Sequence, residues 1–320
     1  MKMKAKIKEH VSVVIIHFNS DLYIRDCIKC LNFQNDIDCE IIIIDNASEN
    51  NLKSELKDLS KNIRYIRSSV NLGAARANNL GIENSNSEYI AILNADVFLD
   101  PDYLIKCVSK LKKHENVSEV QGLLVSSAND KIIDSAGVDF FYNGLAADKS
   151  HGEDISWLRH ISEDEISIDG TCCAAAVYKK SILEKVKTKH GIYNERLFAF
   201  FEDFELSARM RAAGTQALLV RDARGRHVRG GSTRNQSKFV RLLHIKNIFI
   251  INNFIFRLGM MRKIAFNVYF LFTLMRNIDV IKDVFKFIIS SKELEREDFH
   301  RYDYTGIKSY LKFKLRKVLS

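Results

Sequence analysis

Proline is all but missing. Pro101 is the only one in 320 residues, which excludes proline-rich linkers and stalks. No internal repeat is present. No uninterrupted apolar run reaches the ~20 residues that a membrane-spanning helix needs. The first strand-like run passes into His17-Phe18-Asn19-Ser20-Asp21 without a glycine. The G-x-G-x-x-G fingerprint is therefore absent, and a dinucleotide-dependent oxidoreductase is excluded. Only one C-x-x-C pair occurs, Cys27 and Cys30 among six cysteines, and the lack of a second pair weakens a zinc reading. Ile24, Cys27, Ile28 and Leu31 share one helical face, which favours core packing for that pair. Val11–Ile16 is too short for the apolar region of a signal peptide, and polar His17, Asn19 and Ser20 follow it. The expectation is a cytoplasmic, reducing setting with free thiols. Acid is missing over one stretch. From Ala223 to Ile278 there is no Asp or Glu but there are eleven Lys and Arg, while the whole chain carries +9. The protein is a near-neutral body with one concentrated basic segment, and such a segment suits an anionic partner.

Apolar residues make up 46% of the chain, enough for a sizeable core. Val11–Phe18 is a continuous β-branched run, as expected for a strand buried on both faces. Strand-like Glu40–Asp45, Ile63–Arg67, Tyr89–Leu93 and Val120–Val125 follow. Helical patterns after Asp21 and at Leu52–Leu59, Ala74–Ile82 and Pro101–Lys113 separate them, with Asp100 expected to cap the last. This rhythm predicts an α/β fold with a mostly parallel sheet flanked by helices. Ligands of such sheets bind beyond the C-terminal strand ends, here Asn19-Ser20, Asp45-Asn46 and Asn94-Ala95-Asp96. The stretch 133–168 reads as irregular. Cys172–Tyr178 reads as a strand, Phe204–Ala213 as a helix and Gln216–Val220 as a strand. Beyond about Ser232 the chain turns helical, aromatic and basic. The division expected is 1–232 for the α/β unit and 233–320 for a basic amphipathic helical region.

Three groups carry the chemistry. Asp96, ending a buried strand, suits a divalent cation held against a diphosphate, Mg²⁺ or Mn²⁺ by its oxygen chemistry; a turn aspartate is the competing reading. Glu202, Asp203 and Glu205 crowd a helix start, which acids favour for dipole reasons alone. Phe198, Phe200, Phe201 and Phe204 surround them, and apolar neighbours raise a carboxylate pKa toward that of a general base. His227 lies among arginines and glycines in Gly225-Arg226-His227-Val228-Arg229-Gly230-Gly231, a composition suited to phosphate.

The ordered set Val13-Val14-Ile15-Ile16-His17-Phe18-Asn19, Ile44-Asp45-Asn46-Ala47-Ser48, Asn71-Leu72-Gly73, Leu93-Asn94-Ala95-Asp96-Val97 and Phe201-Glu202-Asp203-Phe204-Glu205-Leu206 resembles the family-2 glycosyltransferases, and most of all their bacterial rhamnosyltransferase-like branch. The resemblance covers about residues 11–232. It implies a GT-A, Rossmann-like fold and an inverting hexosyltransferase. Such an enzyme moves a single sugar from a nucleotide-sugar donor, dTDP-rhamnose or a UDP-sugar, to a saccharide or lipid-linked acceptor in bacterial surface polysaccharide synthesis. By the same resemblance Asn19, Asp45, Asn71, Gly73, Arg76, Asn94 and Asp96 lie on the donor side, Asp96 and His227 at the metal, and Asp203 is the base with Glu202 beside it. Arg229 or Arg234 would help to neutralise the leaving group, and Gly170–Cys173 would line the acceptor side or be a tight core strand. Asn94 departs from the family's usual first acid and puts metal affinity in question. Asp134-Ser135-Ala136-Gly137 also matches, without a role. The Gln-x-x-Arg-Trp motif of processive synthases is missing; the one tryptophan stands in Ser156-Trp157-Leu158-Arg159. The rival reading is a non-catalytic nucleotide-sugar binder or membrane-associated scaffold.

Ten residues separate Lys246 from Arg257 and twelve separate Lys263 from Arg276. Basic and aromatic residues mixed on helices suit a membrane interface. Peripheral attachment at the inner face of the cell membrane is therefore expected. Packing on the catalytic unit or on a second copy, a homo-oligomer, is the alternative. The aromatics cluster with aliphatics instead of alternating with arginines, which argues against nucleic acid.

Overall fold

A computed structural model describes residues 8–291 apart from 61, 142–144, 161–162, 230–237 and 256–258. In chain order it contains β1 (Glu9–His17), α1 (Asp21–Asn32), β2 (Ile37–Asp45), α2 (Lys53–Lys57), β3 (Ile63–Arg67), α3 (Gly73–Glu83), β4 (Tyr89–Asn94), β5 (Val97–Leu99), α4 (Tyr103–Lys113) and β6 (Val117–Ser126). There follow β7 (Asn129–Ser135), β8 (Val138–Phe140), β9 (Ala146–Asp148), β10 (Glu165–Ile168), β11 (Ala175–Lys179), α5 (Lys180–Lys185), α6 (Glu202–Ala212) and β12 (Gln216–His227). Three helices close the described chain: α7 (Lys238–Ile250), α8 (Met260–Arg276) and α9 (Ile281–Ser290).

The central sheet runs β10-β12-β6-β11-β4-β1-β2-β3. It is parallel from β4 through β3. β11 then enters antiparallel between β4 and β6, and β12 lies parallel to β6. The β-branched runs have a simple cause. Val11, Val13 and Ile15 of β1 and Ile41 and Ile43 of β2 face one apolar layer, with α1 and α4. Val14, Ile42 and Ile44 face the other, with α3, α5 and α6. A strand covered on both faces has no polar side to show. Cys27 is packed in the first layer, its thiol pKa pushed up by burial, and the cysteines are free.

Several expectations shift. The helix after Pro101 starts at Tyr103, because Tyr103 N–H closes a turn on the Asp100 carbonyl and the Pro101 carbonyl accepts from Asn35. The strand read from Cys172 starts at Ala175. The irregular stretch holds the end of β7 and all of β8, β9 and β10, segments too short for periodicity to register. β12 runs on to His227 and pairs there with β5.

The last three helices share cores with the α/β unit. Phe204 and Ala208 of α6 pack with Ile250, Ile251 and Ile255. Phe141 and Leu145 pack with Ile245 and Ile248 of α7 and with Phe266, Phe270 and Leu274 of α8. Among the described residues no single helix is long and apolar enough to cross a membrane; 263–276 and 278–290 pass that test only jointly, bent by 93°.

Candidate active site

Parallel register brings the polar strand ends level. His17 pairs with Asp45, Asp45 with Arg67, and Ile16 with Asn94. Asn19 is exposed with φ 51°. Its N–H donates to Ser48 Oγ, and its Oδ1 accepts from Glu49 N–H at 2.8 Å. Asp45 is fully buried. Its Oδ1 accepts from Ser48 N–H, and its Oδ2 accepts from Tyr65 at 2.5 Å and from Arg67 at 2.8 Å. It holds up the site's floor, and Arg67, one-third exposed, reaches solvent from that group. Asn46 and Asn71 are joined by their side-chain amides, and Asn71 Oδ1 also accepts from Gly73 N–H. Gly73 takes φ +78°, and a Cβ there would lie 2.3 Å from the Phe198 carbonyl oxygen. Only glycine admits that approach. Arg76 is exposed and 4.0 Å from Glu195. Asn94 is exposed, and Asp96 is buried.

Pairing of β5 with β12 sets His227 beside the Asp96 loop, where Val228 N–H donates to the Asp96 carbonyl. His227 Nε2 lies 3.3 Å from Asp96 Oδ1, and its Nδ1 lies 2.7 Å from Asp134 Oδ2. Burial alone lowers this imidazole's pKa, but hydrogen bonds to Asp134 and Asp96 reverse that and raise it to about 9. Among the described residues no three metal-ligating side chains collect. Two do converge, an aspartate oxygen and an imidazole nitrogen whose ring is fixed from behind by a carboxylate. That is the usual dressing of a metal-bound histidine. The pair fits a divalent cation that takes its remaining oxygens from a diphosphate and water, with the imidazolium proton released on binding. Asp134, in the motif without a role, is thus the orienting carboxylate. Arg229 does not stand free for a leaving group: it pairs with Asp134 at 2.9 Å and with Asp148. Arg234 lies outside the described residues.

The acidic cluster divides by role. Glu205 is fully buried and accepts two hydrogen bonds from Arg209, both at 2.7 Å. Arg209 also donates to the Val186 and Ile192 carbonyls, so this pair anchors α6. Glu202 is buried, and its Oε2 has no hydrogen-bond partner among the described residues. Asp203 keeps some exposed surface. Its Oδ1 accepts from Phe204 N–H at 2.8 Å and its Oδ2 from Cys173 N–H at 3.3 Å. Burial raises both pKa values. The two backbone N–H groups on Asp203 favour its charged form, while Glu202 Oε2 has no hydrogen-bond partner among the described residues. Asp148 adds its own repulsion at Asp203. Through its ion pair with Arg229, it links the base side of the site to Asp134 and His227.

The loop before α6 is strained. Phe198, Phe200 and Phe201 have φ of 27°, 72° and 67°. Left-handed backbone costs a non-glycine residue about 1–3 kcal/mol and collects at functional sites.

Sequence reasoning missed the support beneath Asp203. Glu119 and Gln121 sit two apart on one face of β6. Glu119 Oε2 accepts from Thr171 Oγ1 and Ser207 Oγ, both at 2.7 Å, and Gln121 Oε1 accepts from Cys172 N–H at 2.6 Å. They hold the Thr171–Cys173 turn that offers its N–H to Asp203. Burial pushes the Glu119 carboxyl up to about 7. Acid and amide at i, i+2 inside a largely apolar strand were the available signal.

Comparison with known proteins agrees with this geometry. Residues 12–187 match the model of glycosyl transferase family 2. An uncharacterised glycosyltransferase of Haemophilus influenzae is 29% identical over 117 residues, 36% of each chain. A poly-β-1,6-N-acetyl-D-glucosamine synthase of Staphylococcus epidermidis is 28% identical over 116 residues, 36% of this chain and 28% of that one. The matched stretch thus spans little more than a third of these relatives at most. The crystal structure of GalNAc-T7 with UDP, GalNAc and Mn²⁺ superposes with a TM-score of 0.55 at 17% identity, over 75% of this chain and 50% of that one. It shares the GT-A fold. With more than half of its residues inside the family model, the chain belongs to glycosyl transferase family 2.

Proposed function

We propose that the protein is an inverting hexosyltransferase that moves one sugar from a nucleotide-sugar donor to a saccharide or lipid-linked acceptor in bacterial surface polysaccharide synthesis. The observation that carries this reading is the setting of Asp203. This carboxyl is raised in pKa, still reachable from solvent, and aimed by two backbone N–H groups. Asp203 takes the proton of the acceptor hydroxyl. The freed oxygen bonds to the anomeric carbon as the bond from that carbon to phosphate oxygen breaks, and the nucleoside diphosphate leaves with the electron pair from the opposite face. A single displacement inverts the centre. Glu202, protonated beside the base, spares the site a second negative charge. Asp96 and His227 would hold a divalent cation, whose chemistry is to offset charge growing on the leaving diphosphate. Asn19, Asp45, Asn71, Gly73, Arg76, Asn94 and Asp96 form the donor side in this reading, Asp45 acting through Arg67 and Tyr65.

The donor proposed first is dTDP-rhamnose, from the motif resemblance to the rhamnosyltransferase-like branch. UDP-sugars come next, by analogy with the UDP and Mn²⁺ carried by GalNAc-T7. Catalysis is assigned to residues 1–232 and membrane attachment to the basic region 233–320, of which 292–320 lies outside the described residues. Met260, Ile264, Val268, Leu271 and Met275 are all exposed along one side of α8, and Lys263 and Arg276 are exposed with them. An apolar stripe with basic ends suits the inner face of the cell membrane, where a lipid-linked acceptor resides.

A panel of nucleotide sugars tested by thermal shift, with and without Mn²⁺ or Mg²⁺, tests the reading, because a ligand of the folded state raises apparent stability. One donor should stabilise the protein, more so with metal, and Asp203→Asn should keep that shift while losing transfer. A well-folded protein that no donor stabilises would move weight to a scaffold role.

A further inference from the structure

We propose that Asn247, on α7 in the C-terminal helical region, is a positioning residue for Asp203. This inference rests on Asp203 being the base. Asn247 is almost completely buried. Its Nδ2 donates to the Leu197, Ala199 and Phe200 carbonyls, at 3.2, 2.7 and 2.9 Å. These carbonyls belong to the strained loop. Phe198, Phe200 and Phe201 have positive φ there, a region that bulky residues rarely enter. Such conformations persist only where the surroundings over-determine them. One turn earlier on α7, the His244 ring stands edge-on to Phe200 and Phe201, at centroid distances of 4.4 and 5.5 Å.

The loop runs directly into the base. The Phe201 carbonyl accepts the first hydrogen bond of α6, from Glu205 N–H, and Asp203 lies between those two residues. Setting the peptide planes of 197–200 therefore sets where α6 begins and where the Asp203 carboxyl points. The opposite side of the loop is gripped by the Asn-Leu-Gly segment, through Ala75 N–H on the Phe198 carbonyl. Asn247 is the matching grip from the helical region, which makes that region a structural part of the active site as well as a surface for attachment. Only a side chain with an N–H₂ can do this. An ionised aspartate of the same shape has acceptors only and would repel all three carbonyls.

The test uses the full chain with Asn247→Asp, Asn247→Ala, Asp203→Asn and, as a packing control, Ile248→Ala. UDP and dTDP serve as binding probes. Turnover is read as nucleoside diphosphate released from the sugar nucleotide that most stabilises the wild-type protein. The Asn247 variants should lose roughly tenfold or more in turnover, the scale of a misplaced catalytic group. Nucleotide Kd should stay within about twofold, and the acid limb of the pH profile should move. Ile248→Ala should lower Tm and leave that limb in place. Wild-type turnover in both Asn247 variants overturns the inference, as does a fall in turnover matched by an equal fall in nucleotide affinity. Should Asn247→Ala fail to fold, Phe200→Gly in the same chain removes part of the left-handed penalty; recovery of folding and turnover is expected, and no recovery of either counts against the inference. Full turnover in Asp203→Asn sinks the base assignment itself. A dead Asp203→Asn beside wild-type-like Asn247→Asp sinks only the role of Asn247.

Discussion

Replacing Gly73 by alanine should damage stability and catalysis together, and the structure sets the size of both effects. Gly73 has φ +78°, and an added Cβ would lie 2.3 Å from the Phe198 carbonyl oxygen and 2.6 Å from its ring Cδ2. The nearest atom is backbone, so no rotamer change relieves the clash. The left-handed conformation costs alanine about 1–2 kcal/mol. Forcing a methyl into filled space adds about 1–3 kcal/mol. Together they predict a loss of about 2–5 kcal/mol. Gly214 supplies the control: its φ is +86°, but nothing lies within 4 Å of an added Cβ. Gly214→Ala carries the conformational part alone, so the difference between the variants isolates the steric part, about 1–3 kcal/mol. Urea unfolding of both variants beside the wild type measures it. Because the displaced residue is Phe198, which leads into the Asp203 loop, Gly73→Ala should also lose roughly tenfold in turnover at temperatures where it is folded, while Gly214→Ala should not. Equal destabilisation by the two substitutions would refute the close approach and, with it, the link between the Asn-Leu-Gly segment and the base.

Four further outcomes are expected. Asp134→Asn should weaken Mn²⁺ binding by about 10–100-fold, the usual effect of removing the carboxylate behind a metal-bound histidine; calorimetric titration showing wild-type affinity would remove Asp134 from that role. Burial raises the Asp203 pKa, so the base loses its charge at a higher pH than an ordinary aspartate, and kcat/KM should fall with acidification while pH is still above the usual aspartate range. An acid limb at the ordinary aspartate position would contradict this. Glu119, pushed up to about 7, retains in the folded state a proton that the unfolded chain releases at lower pH. Its contribution to stability is therefore complete below the ordinary carboxylate pKa and lost as pH rises through about 7. Urea midpoints of Glu119→Gln should then vary less between about pH 5 and about pH 8 than those of the wild type, and an unchanged slope would argue against it. Finally, the protein should sediment with vesicles containing anionic lipid, less so at high salt, and Leu271→Asp with Met275→Asp should abolish this without changing Tm; sedimentation that survives both changes would exclude the outer face of α8.

Much of the candidate site was legible along the chain, because parallel α/β sheets collect function at strand ends and those ends are local in sequence. Apolar runs rich in isoleucine and valine marked β1, β2 and β4, and the polar residues at or just past strand ends marked Asn19, Asp45, Asn94 and Asp96. Phenylalanines packed around acids marked the start of α6. Periodicity and composition could reach this far because each signal sits within about ten residues. What the tertiary structure decided depends on contacts between distant segments. Asp134 reaches His227 across 93 positions, and Asn247 reaches the Asp203 loop across almost fifty. Whether a carboxylate is a floor, an anchor or a base was also a tertiary matter. Asp45 is closed off by Tyr65 and Arg67, Glu205 is taken by Arg209, and Asp203 remains partly exposed beside Cys173. In sequence these are three acids close to apolar residues. Only burial and the positions of their donors, both set by packing, divide them.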